Sequence, residues 1–317
     1  METEVQLTTF ELDTLTGLSA DPKYLSSKYF YDARGSKIFA LIMRMPEYYL
    51  TDCELEIFQN HKQEIAQAFG NPINEFELIE LGAGDGLKTK ILLAHLLDYN
   101  YSFKYIPIDI SPKAIYDLQH DLAKNLPALR FDGLIGDYFQ LIAGLNGLKK
   151  KVVLFLGSNI GNFDEEKSIH FLRQLNEVLN PGDQLLIGFD LKKDPEIILP
   201  AYNDPHGLTA AFNLNLLHRI NNELDADFIP ENFFHQETYD PETGTASSYL
   251  VSTKNQRVHL PKLGRTFHIE KNELIQMEIS QKYDESMIKA LADQSGFEVT
   301  RNFYDRRSWF VNSIWDV

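Results

Sequence analysis

The stretch Glu80-Leu81-Gly82-Ala83-Gly84-Asp85-Gly86 can do chemistry with its backbone. Glycines lack a Cβ, so main-chain N–H groups can approach a ligand closely where a helix begins. A carboxylate, Glu80, stands just before them. Asp109 closes the next apolar run, where it can accept from both hydroxyls of a ribose. Asp137, in Gly136-Asp137-Tyr138, follows a third run, where it can accept from an adenine amine while Tyr138 covers the ring face. Either aspartate alone reads equally well as a turn residue after a strand. Two of them at successive strand ends behind a glycine turn point to a nucleoside, with Glu80, Gly82, Gly84, Asp109, Asp137 and Tyr138 as candidate contacts. Two cofactor classes remain open. The dinucleotide fingerprint has a third glycine where this chain has Leu87. Carboxylates repel a pyrophosphate and attract a sulfonium, which favours S-adenosylmethionine over NAD.

Strands and helices must alternate to bring those turns together, and the pattern does alternate. FELIEL (Phe76 to Leu81), YIPIDI (Tyr105 to Ile110), a third strand within LRFDGLIGD, the wholly apolar KVVLFLGS and DQLLIGFDL read as five strands. Helical crossovers separate them: LKTKILLAHLL, a helix opened by Ser111 and Pro112, and DEEKSIHFLRQLNEVL, stopped by Asn180-Pro181-Gly182. This is the order of a doubly wound parallel sheet. Before it, Thr51 and Glu54 have the spacing of a capping box that opens a helix ending at Gly70. After it, residues 193–260 turn rich in Asn, Asp, Pro and His, with a helical run LTAAFNLNLLHRINNEL. ASSYLVST and RTFHIEKNELIQMEISQ read as strands, and His235-Gln236-Glu237 as a loop without metal-site spacing. A helix from Asp284 to Gly296 and the pair FEVTRNFYD and SWFVNSIW bring the chain back to the first sheet. The expected fold is α/β, a Rossmann-like sheet (59–192 and 283–317) with a second, smaller α+β domain (1–58 and 193–282).

Composition excludes several function classes. Lys and Arg number 30 against 46 Asp and Glu, a formal charge of −16, which opposes RNA or DNA as a partner and an anionic membrane surface. With one cysteine, Cys53, no internal disulfide can form, and it reads as a partly buried helix residue. No apolar run approaches the roughly 20 residues of a spanning helix, and no signal peptide is visible. The expectation is a cytoplasmic, monomeric enzyme acting on a small molecule.

Several segments carry a resemblance. YFYDARGSKIF, MPEYYLT, ELGAGDGLKTK, YIPIDIS, FLGSNIGNF, AYNDPHGLTAAFN and MEISQKY occur in order over nearly the whole chain. Together they resemble the histidine Nα-methyltransferases of the ergothioneine pathway. The resemblance implies a class I methyltransferase sheet, S-adenosylmethionine as cofactor, and methylation of the α-amino group of histidine up to the trimethylated product, hercynine. It implies cofactor contacts at Gly82, Lys88, Asp109, Asp137 and Tyr138. It implies acceptor contacts at Tyr48, Asn162, Tyr202 and Glu278-Ile279-Ser280, aromatic residues Tyr31 and Phe39 near the methylated amine, and further pocket positions at Gly157 and Thr209. Tyr31, Asn162 and Tyr202 are the residues it sets beside the reacting amine.

The residue types suit those roles. An amide offers a donor and an acceptor to an amino acid's charged ends, and π faces attract a methylated ammonium. Glu278 and Ser280, two apart on a strand, would share a face and could serve the two ring nitrogens of an imidazole. On residue pattern alone, Tyr31, Phe39 and Tyr48 read as core aromatics in a chain with 15 Tyr and 21 Phe, and Asn162 as a helix cap. One position departs from the family. Ser248 stands where the resemblance aligns a methionine over the imidazole, which leaves another amino acid or a histidine derivative as the alternative acceptor.

Overall fold

The computed structural model describes residues 7–144, 147 and 149–317. In chain order the helices are α1 (Thr9–Ser19), α2 (Ala33–Ile42), α3 (Tyr49–Phe69), α4 (Thr89–Asp98), α5 (Pro112–Asn125), α6 (Tyr138–Leu141), α7 (Glu165–Val178), α8 (Pro195–Tyr202), α9 (Leu208–Leu224) and α10 (Glu285–Ser295). The strands are β1 (Lys23–Tyr24), β2 (Phe76–Leu81), β3 (Phe103–Asp109), β4 (Leu134–Ile135), β5 (Lys150–Phe155), β6 (Gln184–Asp190), β7 (Phe233–Asp240), β8 (Thr245–Ser252), β9 (Gln256–Leu260), β10 (Arg265–Ile269), β11 (Leu274–Gln281), β12 (Glu298–Tyr304) and β13 (Phe310–Asp316). They divide into two compact units, residues 50–192 with 281–317, and residues 1–49 with 193–280. The expected boundary between residues 58 and 59 falls inside α3. A continuous helix is one rigid piece, and nearly all of α3 belongs to the first unit.

The first unit is built on a seven-stranded sheet in the order β12-β13-β6-β5-β2-β3-β4. β4, β3, β2, β5 and β6 run parallel, and β13 is antiparallel to both β6 and β12. That is the strand order and single reversed strand of a class I methyltransferase sheet. Its centre is apolar because both faces are covered: Val152, Val153, Leu154 and Phe155 of β5 are fully buried. Chain order reverses between β2 and β5, so the loops leaving those two strands flank the crevice where such sheets bind ligands. These are the loops that carry Gly82 and Gly157. The third expected strand is much reduced. Only Leu134–Ile135 pairs fully, with a lone bridge from Phe131 to Tyr105.

The boundaries of α5, α7 and α10 follow the cap chemistry, and that of α3 does not. Ser111 accepts from the Ala114 N–H with Pro112 in the first turn, Asp164 caps α7, and Asp284 and Gly296 bracket α10. α3, however, begins at Tyr49, so Thr51 and Glu54 both lie inside the helix and form no capping box. The Glu54 carboxylate is used elsewhere, as described below.

The second unit holds a four-stranded sheet, β1-β11-β8-β7, and a β9-β10 hairpin. Its core gathers Phe10, Leu18 and Phe30 with Phe212, Leu216 and Leu217 of α9 and Leu250, Ile275 and Met277 of the sheet. Residues His235-Gln236-Glu237 form part of β7 rather than a loop, because β7 alternates covered and open positions along its length as a half-buried strand does. The run from Arg265 to Gln281 is two strands rather than one, broken at a turn where Asn272 takes a positive φ of 67°. Among the described residues no helix is long and apolar enough to cross a membrane.

Candidate active site

In the sheet unit, the glycine turn leaves β2 with φ of 70°, 54° and 63° at Gly82, Gly84 and Gly86, backbone that L side chains rarely adopt. Nothing lies within 4 Å of where a Gly84 Cβ would stand, so that face of the turn is open. Asp109, at the end of β3, holds the turn in place. Its Oδ2 accepts from the Gly84 N–H at 2.9 Å and its Oδ1 from the Ser111 N–H at 2.8 Å. Asp137 caps α6 through the Phe139 N–H at 2.9 Å. Tyr138 then stacks on Phe139 and meets Phe155 and Phe171 edge-on, with ring centroids 5.8 Å apart in both cases. Burial pushes the Tyr138 phenol well above its ordinary value.

Two carboxylates near this turn face inward. Glu80 accepts from the Thr89 hydroxyl at 2.5 Å and from the Tyr105 hydroxyl. Burial raises its carboxyl to about 7, against the pull of those donors. It joins β2, β3 and the first turn of α4 and so braces the loop. Glu54 is fully buried. Its oxygens accept from the Gly157 N–H at 2.9 and 3.1 Å and pair with the Lys88 ammonium. One side chain from α3 therefore ties Lys88, after the glycine turn, to Gly157, after β5. Sequence reasoning missed this residue. The available signal was an acid in the same helical stripe as Leu50, Ile57 and Phe58, all buried.

The loop after β5 is held just as firmly. Ser158 takes a left-handed φ of 56°, and its hydroxyl accepts from the Asp190 N–H at 3.0 Å. Gly161 sits so near Gln281 that a Cβ would stand 2.7 Å from the Gln281 carbonyl oxygen. The next residue along, Lys282, makes a fully buried 2.8 Å ion pair with Asp190. Asn162 ends the short helical turn Asn159–Asn162 and is half-buried. It does not cap α7, because Asp164 does.

In the second unit, most of the expected acceptor residues meet. Tyr31 and Phe39 pack edge to face at 5.3 Å, and both pack on Phe212 at 5.4 and 5.6 Å. Phe39 leads to Tyr48 at 6.1 Å, and Tyr48 to Tyr202 at 6.3 Å. The Tyr202 hydroxyl lies 3.0 Å from the Ser280 hydroxyl. Thr209, buried in the first turn of α9, donates its N–H to Asp204 at 2.8 Å. Glu278 and Ile279 are half-buried. Ser280, two residues on from Glu278 along β11, is buried. Ser248 is buried and donates to Asn213 Oδ1 at 2.9 Å.

The sheet unit thus offers an open glycine turn and the acceptor carboxylates of Asp109 and Asp137, groups suited to a nucleoside with a positive sulfonium. The second unit offers hydroxyls, a carboxylate and clustered π faces, suited to an amino acid whose amine becomes a methylated ammonium. Comparison with known proteins agrees with this chemistry. A family model described as histidine-specific, SAM-dependent methyltransferase matches residues 10–317. A histidine N-alpha-methyltransferase of Mycolicibacterium smegmatis is 33% identical over 95% of this chain and 93% of its own length. Ergothioneine biosynthesis protein 1 of Neurospora crassa is 31% identical over 93% of this chain and 33% of its own. Among solved structures, the CcbJ methyltransferase from Streptomyces caelestis is similar at a TM-score of 0.46 and 14% identity, over 81% of this chain and 95% of that one.

Proposed function

This chain belongs to the family of histidine-specific, S-adenosylmethionine-dependent methyltransferases, and on that premise we propose that it methylates the α-amino group of L-histidine, up to the trimethylated product, hercynine. The observation that carries the reading is the open Gly84 turn tied to Asp109, in a chain whose other unit gathers Tyr31, Phe39, Tyr48 and Tyr202. S-adenosylmethionine, when bound, supplies a methyl group already activated by its sulfonium. Gly82, Gly84, Lys88, Asp109, Asp137 and Tyr138 are the residues that would hold it. Asp109 already accepts two backbone N–H groups, so it is fixed in place before any ligand arrives.

The acceptor amine attacks as the free base. A nitrogen–carbon bond forms as the sulfur–carbon bond breaks, and the amine's proton passes to water. Positioning therefore supplies most of the catalysis, and no strong general base is needed. Tyr202 takes the acceptor's polar end through its hydroxyl group. Glu278 and Ser280 take the ring. Tyr31 and Phe39 offer π faces to the growing ammonium, worth roughly 0.5–2 kcal/mol each. The −16 charge supports a soluble enzyme that binds neither nucleic acid nor anionic membranes. Mass spectrometry of histidine incubated with the enzyme and S-adenosylmethionine tests the reading. One, two and three methyl additions are expected. Their absence from a protein that binds S-adenosylhomocysteine would exclude histidine as the acceptor.

A further inference from the structure

The loop after β5 bends through two unusual residues in a row. Gly157 and Ser158 take φ of 75° and 56°, a region that residues with a Cβ seldom enter. Such strain persists only where the surroundings enforce it, and it gathers at ligand sites. Here Glu54 holds the Gly157 N–H, and the Ser158 hydroxyl accepts from the Asp190 N–H. The bend delivers the next side chain, Asn159. Its Nδ2 lies 3.5 Å from where a Gly82 Cβ would stand, and its Oδ1 lies 3.7 Å from where a Gly157 Cβ would stand. The carboxamide therefore spans the gap between the loops after β2 and β5, the crevice of this sheet.

A turn asparagine ordinarily spends its amide on neighbouring backbone. Asn159 does not. Among the described residues its carboxamide has no hydrogen-bond partner, the residue is half-buried, and neither amide atom is closed off from solvent. The Lys88 ammonium stands on the side of the oxygen, 3.5 Å from the same Gly157 Cβ position. A cation there favours the oxygen toward it, which leaves the Nδ2 protons on the side of the Gly82 turn.

Strand order indicates which part of the cofactor meets this amide. β3 and β5 flank β2 on opposite sides. Asp109 ends β3 and Asp137 follows β4, and these are the residues assigned above to ribose and adenine. The nucleoside thus belongs on the β3 side of the glycine turn. The β5 side is left for the amino-acid end, which carries a carboxylate and an ammonium. Lys88 keeps protons beyond the one it gives to Glu54, and Asn159 adds a neutral donor.

We propose that Asn159 is a cofactor-specificity residue: its Nδ2–H donates to the carboxylate at the amino-acid end of S-adenosylmethionine. The proposal rests on the cofactor reading above and adds a residue to it. Asn159 thereby distinguishes the whole cofactor from a nucleoside that lacks the amino-acid end.

The test is calorimetry with S-adenosylhomocysteine and with 5′-methylthioadenosine, which keeps adenine, ribose and sulfur but has no amino-acid end. It is made on the wild type, Asn159→Ala and Asn159→Asp. Asn159→Ala should weaken S-adenosylhomocysteine about tenfold, the loss of a hydrogen bond to a charged group, and leave 5′-methylthioadenosine unchanged. Asn159→Asp should weaken S-adenosylhomocysteine further, because it sets one carboxylate against another. Equal loss of both nucleosides in Asn159→Ala would overturn the contact and leave Asn159 a support for the loop. Undiminished binding of S-adenosylhomocysteine in either variant would also overturn it. Failure of the wild type to bind either nucleoside would instead overturn the cofactor reading beneath it.

Discussion

The two units place their polar groups by different means. In the sheet unit, carboxylates answer backbone: Asp109 holds Gly84 and Ser111, Asp137 caps α6, and Glu54 holds Gly157. Between Tyr202 and Ser280, and from His235 through Ser248 to Asn213, in the second unit, side chains answer side chains, while Asp204 there holds backbone at Thr209. The loops after β2 and β5 are therefore held through their backbone, and the second unit's contacts from side chain to side chain could be exchanged one at a time.

The comparison breaks most severely at Glu54. Glu54→Ala leaves the Gly157 N–H and the Lys88 ammonium without their buried carboxylate. It should cost about 3–5 kcal/mol in denaturant unfolding and abolish cofactor binding. Near wild-type stability would show that the two loops are not tied through α3.

Next come two buried titrations of opposite sign, one in each unit. Glu80 holds its proton up to about 7 in the fold against an ordinary 4.5, so the stability linked to it is present below 4.5 and is lost as pH rises toward 7. His235 holds its neutral form down to about 4 against an ordinary 6.5, so its contribution is present above 6.5 and is lost as pH falls toward 4. Each amounts to at most about 3.5 kcal/mol across its window, at roughly 1.4 kcal/mol per tenfold change in proton affinity. Thermal unfolding at stepped pH should show Glu80→Gln flattening the 4.5–7 limb on the high side and His235→Gln the 6.5–4 limb on the low side. Variants with unaltered pH profiles would mean that neither group titrates as placed.

Asp109→Ala should weaken S-adenosylmethionine by about 10–100-fold, the loss of a charged hydrogen-bond partner, while the KM for the amino acid moves little. An equal rise in both constants would show that the aspartate is not confined to the cofactor half. The smallest effect is expected at Phe39→Leu, which keeps apolar bulk and removes a π face. A loss of roughly 0.5–2 kcal/mol should fall on the later methylations, so partially methylated product accumulates. A uniform slowing of all transfers would argue against contact with the ammonium.

Much of the sheet unit was legible because its signals are local. Ser111-Pro112 marks a helix start wherever it occurs, and a fully apolar run such as that of β5 suits only a strand covered on both faces. Glu54 was not legible in the same way. Its spacing from Thr51 satisfies a capping box, and only the start of α3 at Tyr49 shows that both residues lie inside the helix. β7 was hidden because His235-Gln236-Glu237 has no apolar residue to display the alternation, although the strand itself alternates in burial.

By itself, the sequence determined the order of strands and helices, the glycine turn, the aspartates at the ends of successive strands and the aromatic motifs, since each depends on neighbours within a few residues. Tertiary structure alone decided which groups each carboxylate holds, and how the bonds run through Ser248. Those outcomes turn on partners far away in the chain: Gly157 for Glu54, Tyr105 for Glu80, Asn213 for Ser248 and through it His235. A hydrogen bond is satisfied by whichever group lies within about 3 Å, and separation along the chain does not set that distance.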